Sequence, residues 1–134
     1  MIQALAAFGE QAAPAVLGVV TSTESHYDEV NHGLITLRFM VEQTGARSLS
    51  ANTVDQIRRA AQQRLTGRQY FPTLWNAMDL AVALNDPNLR RIVQSLASNR
   101  NEVVIRGVTD PELIEKTQKR AADRLAGVPA LPRP

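Results

Sequence analysis

The chain has 134 residues, a length that fits one domain with a substantial hydrophobic core. It has no cysteine, which excludes disulfides, thiol catalysis and cysteine-ligated zinc or iron–sulfur sites. The net charge is +2, but residues 1–46 hold one arginine and five acids, whereas residues 47–134 hold fourteen basic and eight acidic residues.

The first two predicted helices occupy residues 2–8 and 11–22. Gly9 ends the first, because glycine readily adopts the backbone conformation that closes a helix. Pro14 falls in the first turn of the second, where its missing amide hydrogen costs nothing. Apolar side chains recur along the second segment at the spacing of one helix face, and they are Ala13, Val16, Leu17 and Val20.

A third helix is predicted over residues 25–44, with Ser25 as its N-cap and Asp28 in capping-box position. Gly45 is predicted to terminate it. Gly33 in its interior costs about 1 kcal/mol relative to alanine. We expect that cost where two helices cross closely.

Two further helices are predicted over residues 52–66 and 71–84. Asn52 is the candidate cap of the first, and Gly67 ends it. The second has a proline in its first turn, and Trp75 lies beside its apolar stripe.

Three helical segments are predicted in the last third of the chain. Asp86 is expected to cap a helix over residues 87–98 that begins with a proline. Residues 101–106 contain the β-branched run Val103-Val104-Ile105, but a lone short strand has nothing to pair with, so a helical turn is expected there. A last helix over 110–126 begins at Thr109-Asp110-Pro111-Glu112, which combines a capping box with an early proline.

Residues 1–127 are therefore predicted to form a single all-α domain, followed by a proline-rich mobile tail over residues 128–134. The helices fall into pairs in which apolar positions recur. Matching positions at intervals of 40 and 36 are Leu17, Ile57 and Val93, and those at intervals of 43 and 41 are Leu37, Leu80 and Ala121. Such spacing is typical of two-helix solenoid repeats, whose stacking supplies the core.

On these residues the chain resembles HEAT-repeat proteins. Residues 10–17 resemble the start of a HEAT first helix, residues 4–9 the end of a preceding second helix, and residues 84–91 the inter-helix turn. The resemblance implies a right-handed α–α superhelix of about three antiparallel helix pairs. Pro14 and Pro72 are not one repeat apart, however, so an irregular compact helical bundle is the alternative.

Candidate catalytic and metal-binding groups are few. His26 and His32 lie on different faces of one helix, which argues against a two-histidine metal site. No serine lies in a nucleophile elbow, and the glycines form no phosphate-binding loop. Asp79 near Trp75 indicates either a pocket or, more commonly, a partly exposed acid with a basic neighbour. No enzymatic activity, cofactor or metal is expected.

The candidate partner-binding residues are basic, and they are Arg58, Arg59, Arg64, Arg68, Arg90 and Arg91. They would form one face if the helices over 52–66 and 87–98 are adjacent layers of a stack. Tyr70, Phe71 and Trp75 either stack on nucleic-acid bases or belong to the core. The expected function is a non-catalytic protein–protein interaction or scaffold module, and the alternative is a nucleic-acid-binding module that uses the arginine-rich face.

No stretch approaches the roughly 18 consecutive apolar residues of a membrane span. The first five residues carry no basic region of the kind that opens a signal peptide. A soluble protein is therefore expected, and the compartment stays open between the cytoplasm, which is slightly favoured, and the periplasm. Thirteen of the fifteen basic residues are arginine, which is typical of a bacterium with a GC-rich genome.

Overall fold

The computed structural model describes residues 9–44 and 49–130. Within these ranges the chain forms a short 3-10 turn, Gly9–Gln11, and seven α-helices. They are α1 (Ala13–Thr21), α2 (Tyr27–Thr44), α3 (Ala51–Thr66), α4 (Phe71–Leu84), α5 (Pro87–Ser98), α6 (Arg100–Ile105) and α7 (Pro111–Gly127). The described ranges contain no strand, and the all-α prediction is confirmed. The predicted helix over 2–8 and the predicted stop at Gly45 lie outside the described residues.

The predicted bounds are correct for α4 and α5. The β-branched segment is helical as predicted, since α6 covers most of it. None of the helices in the described ranges is long and apolar enough to cross a membrane.

The predicted N-cap of α2 is wrong. The helix begins at Tyr27, two residues later than predicted, so Ser25 lies before it. The Asp28 amide donates instead to Nδ1 of His26 at 3.2 Å. The imidazole thus satisfies one of the amides that a helix start leaves without a partner.

The predicted N-cap of α3 is also wrong, because Ser50 rather than Asn52 caps the helix and accepts from the Thr53 amide at 3.1 Å. A second group reaches this helix start from the 3-10 turn. The Glu10 carboxylate accepts from the Ser50 amide and, at 2.9 Å, from the Thr53 hydroxyl. These hydrogen bonds hold the pKa of Glu10 below its ordinary value, because they stabilise the ionised carboxylate.

Aspartate side chains cap the starts of α5 and α7. Asp86 caps α5 as predicted, accepting from the Leu89 amide at 3.0 Å. Asp110, rather than Thr109, caps α7 and accepts from the Glu112 amide at 2.9 Å. In both cases a proline occupies the position after the aspartate, where its fixed φ suits the first turn.

The helices pack in neighbouring pairs. α1 contacts α2, α3 contacts α4, and α5 contacts α7. The pairs contact one another through two rows of helices. One row is α2, α4 and α7, and the other is α1, α3 and α5, with each helix contacting the next in its row. The short α6 contacts both α5 and α7. The six positions predicted to recur in the core are all buried, and they are Leu17, Leu37, Ile57, Leu80, Val93 and Ala121.

Gly33 lies where α1 and α2 cross. A β-carbon on this residue would lie 2.5 Å from Cγ2 of Val20, well inside van der Waals contact. The predicted close crossing is confirmed.

Two arginine side chains connect neighbouring helix pairs by donating to backbone carbonyls. Nε of Arg64 donates to the carbonyl of Val20 at the end of α1, and Nε of Arg106 donates to the carbonyl of Leu65 at the end of α3, both at 2.7 Å. Carbonyls in the last turn of a helix have no partner within the helix, so each guanidinium satisfies one of them.

The start of the predicted tail is attached to the helices. Nη1 of Arg90 donates to the carbonyl of Val128 at 2.5 Å, and Nδ2 of Asn85 donates to the carbonyl of Pro129 at 3.0 Å. Residues 131–134 lie outside the described residues.

Candidate functional site

A row of three charged side chains crosses the layer formed by α2, α4 and α7. The row consists of Arg38, Asp79 and Arg120. Each is 41 residues from the next along the sequence and contacts it in the fold. Nη1 of Arg38 lies 3.2 Å from Oδ2 of Asp79, and Nη2 of Arg120 lies 2.6 Å from the same oxygen. Arg124, one turn after Arg120, places its Nε 3.0 Å from Oδ1. One carboxylate in the central helix therefore holds three guanidinium groups from the two flanking helices.

Burial differs sharply between the two charge types. The Asp79 side chain is only 2% exposed, whereas those of Arg38, Arg120 and Arg124 are 20%, 33% and 44% exposed. The expected partial exposure of Asp79 is wrong, although the expected basic neighbour is present. Since a buried carboxylate is costly unless it is paired and hydrogen-bonded, Asp79 fixes the positions of the arginines. The arginines in turn keep contact with solvent.

Trp75 lies beside this cluster and is held on two sides. The Arg120 guanidinium carbon lies 5.1 Å from the centroid of the indole ring, a cation–π contact. Nε1 of Trp75 donates to the Thr117 hydroxyl at 2.8 Å, and that hydroxyl donates to the Leu113 carbonyl at 2.7 Å. These two contacts hold the indole ring in place.

A shallow, open groove of about 360 Å³ lies over the cluster, along one face of α7 and beside Trp75 of α4. We call it the cationic groove, and it is lined by Trp75, Lys116, Lys119, Arg120, Asp123 and Arg124. The five lining residues from α7 occupy positions i, i+3, i+4, i+7 and i+8, which places them on one face of the helix. The lining thus presents four cations and one carboxylate.

Carboxylates near the groove pair with individual cations. Lys116 lies 3.2 Å from Glu112, and Lys119 lies 2.8 Å from Asp123, which raises the pKa of Lys119 through that hydrogen bond. Glu42 lies 3.6 Å from Arg38. The two lysine pairs are mostly exposed, so solvent screening makes them weak. Lys116, Lys119 and Arg38 therefore each have a carboxylate partner within the chain.

An aromatic strip leads away from the groove. We use this name for the consecutive rings of His26, Tyr27, Tyr70, Phe71 and Trp75. Ring centroids are 4.2 Å apart for the first pair and 5.2 Å apart for each of the others. Tyr27 and Tyr70 are 48% and 57% exposed, whereas Phe71 and Trp75 pack partly against the core. The strip thus joins an exposed tyrosine pair to the groove.

The six arginines predicted to bind a partner do not share one role. Arg58 and Arg59 both pair with Asp55, at 2.7 and 3.0 Å, and the hydrogen bond to Arg58 lowers the pKa of Asp55. Arg64 donates to backbone carbonyls, and its burial lowers its pKa. Arg90 is buried and holds the chain after α7.

Arg68 and Arg91 are exposed, and neither forms an ion pair with any residue that the structure describes. The predicted face therefore keeps exposed cations at Arg59, Arg68 and Arg91, while two of its other members serve the fold. A partner role for this face stays a prediction.

Sequence reasoning identified Asp79 and Trp75 but missed the cations around them, which are Arg38, Lys116, Lys119, Arg120 and Arg124. The available signal was the equal spacing of Arg38, Asp79 and Arg120. That spacing is close to the repeat already indicated by the buried apolar positions.

Within residues 9–44 and 49–130, no three His, Asp or Glu side chains lie close enough to hold a metal ion. Neither a known protein family, nor a curated protein, nor a solved structure matches the chain.

Proposed function

We propose that the chain is a non-catalytic protein-binding module of HEAT-like type, and that an acidic segment of another protein binds in its cationic groove. The observation that carries this proposal is the groove itself, whose lining presents four cations and one carboxylate. Arg120 and Arg124 are already held by Asp79, so ordering them on binding costs little conformational entropy. Their Nη1 atoms have no hydrogen-bond partner among the described residues and are available to an incoming carboxylate.

The HEAT-like part of the proposal is supported by the order of helix contacts. In a stack of helix pairs, each helix contacts its pair mate and the equivalent helices before and after it. That is the pattern for α2, α4 and α7, and for α1, α3 and α5. The alternative, an irregular bundle, would not require Arg38, Asp79 and Arg120 to meet at equal separations.

The polar groups beside the groove are already occupied, which supports a non-catalytic function. The Asp79 carboxylate is held by three guanidinium groups, and the Thr117 hydroxyl has both a donor and an acceptor partner. A general base or nucleophile needs a reactive atom within reach of a substrate. These two groups instead serve to position the groove.

The proposal is tested by fluorescence anisotropy with a labelled peptide of eight glutamates. Lys116→Ala/Lys119→Ala removes two exposed cations from the groove and should weaken binding about tenfold, since each exposed charge contact contributes up to about 1 kcal/mol. The matched control, Arg68→Ala/Arg91→Ala, removes two exposed cations elsewhere and should weaken binding less than twofold. Equal losses from the two variants would show that the peptide responds only to net charge, and the groove would then not be the binding site.

A second candidate function is nucleic-acid binding, and exposed Tyr70 close in sequence to exposed Arg68 favours it. An exposed ring beside cations is the arrangement that single-stranded nucleic acids use. Labelled single-stranded and duplex DNA should then bind with a steep salt dependence. Replacement of Arg59, Arg68 and Arg91 by alanine should abolish that binding, and absence of binding at low salt would end this candidate.

A further inference from the structure

The aromatic strip ends at the cationic groove, and the two surfaces are continuous. Trp75 belongs to both, because its ring contacts Phe71 in the strip and Arg120 in the groove. From Tyr27 to Arg120, successive groups lie 5.1–5.2 Å apart. An extended peptide advances about 3.3 Å per residue, so about six residues reach from one end to the other.

The exposed tyrosines are positioned by regular structure. Tyr27 is the first residue of α2, and Tyr70 is the N-cap residue of α4. The Tyr70 carbonyl accepts from the amides of Thr73 and Leu74 at 3.0 and 3.2 Å, which fixes the backbone at that point. Large rings that are already ordered bind apolar groups at a low entropic cost, which is why tyrosine is frequent in binding sites.

The charges differ between the two ends of this surface. The α7 end carries Lys116, Lys119, Arg120 and Arg124. The Tyr27 end carries two acids, Asp28, whose side chain is 66% exposed, and the exposed Glu29, and one exposed cation, Arg68, two residues before Tyr70. A phosphate backbone lying along the whole strip would meet these two carboxylates. A peptide with carboxylates at one end only would meet cations there and rings at the other end.

Resting on the proposed function, we infer that the occupant is one extended acidic peptide segment with an aromatic or other large apolar side chain. That side chain lies on Tyr27 and Tyr70. The acidic residues, three to five positions away along the peptide, lie in the cationic groove. The groove supplies charge attraction, and the strip selects among acidic segments.

The test uses the whole chain and four labelled probes. The first peptide has one tryptophan, two glycines and three glutamates. It is made in both sequence orders because the groove does not define in which N-to-C direction a peptide binds. The second replaces the tryptophan with alanine, and the third replaces the glutamates with glutamines. The fourth probe is a ten-nucleotide oligothymidine.

In one direction, the first peptide should bind about fivefold more tightly than the second, the ratio expected for one aromatic contact. The third should bind at least tenfold more weakly than the first. Tyr27→Ala/Tyr70→Ala should remove the preference for tryptophan while leaving the affinity for the second peptide unchanged. Both tyrosines are exposed, and a thermal melt of this variant confirms that the fold is intact.

The outcomes separate the inference from the proposed function. If the first and second peptides bind equally in both directions, or if the tyrosine variant keeps the preference, the strip takes no part and the inference is overturned, although the groove still binds acidic peptides. If neither peptide binds, the proposed function fails as well. Tighter binding of oligothymidine than of the first peptide, lost in the tyrosine variant, would overturn the inference in favour of nucleic acid.

Discussion

The crossing of α1 and α2 gives the sharpest test of the packing, because it depends on one missing β-carbon. In Gly33→Ala the new methyl group would lie 2.5 Å from Cγ2 of Val20. Val20 is fully buried and β-branched, so its side chain has no free rotamer into which it can move. The two helices must therefore separate slightly or Val20 must adopt a strained rotamer.

The expected magnitude combines two opposing effects. Replacing glycine with alanine in a helix stabilises it by about 1 kcal/mol. Overpacking a well-packed core costs about 1–3 kcal/mol. Gly33→Ala should therefore lower the free energy of unfolding by about 1 kcal/mol and the melting temperature by about 4 °C.

Gly18→Ala is the matched control. Gly18 lies on the exposed side of α1, and a β-carbon there would meet no atom within 4 Å beyond its own neighbourhood. The same substitution should therefore raise the free energy of unfolding by about 0.5–1 kcal/mol. The two variants are expected to shift stability in opposite directions.

Urea unfolding followed by the fluorescence of Trp75, the single tryptophan, measures both effects. A double-mutant cycle with Val20→Ala then isolates the contact. Val20→Ala/Gly33→Ala should be more stable than the sum of the single changes predicts by about 1 kcal/mol, because the smaller side chain makes room for the new methyl. If Gly33→Ala is as stabilising as Gly18→Ala, or if the cycle shows no coupling, the close crossing is refuted.

Three further predictions concern single polar groups. Asp79→Asn should lower the free energy of unfolding by about 1–3 kcal/mol, less than for a fully buried ion pair because the arginines remain partly solvated; an unchanged urea midpoint would contradict it. The pKa of Glu10 is lowered by the Ser50 amide and the Thr53 hydroxyl. The stabilisation that ionised Glu10 adds to the folded state is therefore present above its ordinary pKa of 4.5. It is lost as the pH falls through the lowered pKa. Glu10→Gln should accordingly flatten the fall in urea midpoint at acidic pH, and an identical pH profile would refute this. Arg106→Lys should cost about 1–2 kcal/mol, since lysine cannot reproduce three guanidinium hydrogen bonds; equal stability in a thermal melt would count against that role.

The first and last residues of a helix were predictable where the capping residue or proline that sets them lies within one turn of the helix end. The Asp86-Pro87 pair places the start of α5, and Asn85 ends α4 in the left-handed conformation with φ of 54°. The start of α3 was not predictable in the same way. Ser50 and Asn52 both have side chains that cap helices, and Glu10, forty residues earlier, adds a bond to the Ser50 amide.

In the candidate site, too, features set by residues close in sequence were predictable, and contacts between distant helices were not. Asp79 and Trp75 were recognisable as unusual neighbours on one helix. The partners of Asp79, however, come from other helices, 41 residues before it and 41 and 45 residues after it. The arginines of α3 and α5 formed the more obvious basic group in the sequence. In the folded chain, Arg64 and Arg90 instead donate to backbone carbonyls of neighbouring segments.

The sequence alone determined the all-α class, the helix positions to within two residues and the recurring residues of the core, because helices form through hydrogen bonds four residues apart and bury the stripe that their period creates. Tertiary structure decided which charges meet, since a guanidinium and a carboxylate pair only when their helices lie side by side at the right rotation and height. The cationic groove is a product of that lateral packing. It exists because α4 places Asp79 between α2 and α7, where one buried carboxylate holds three arginines that remain in contact with solvent.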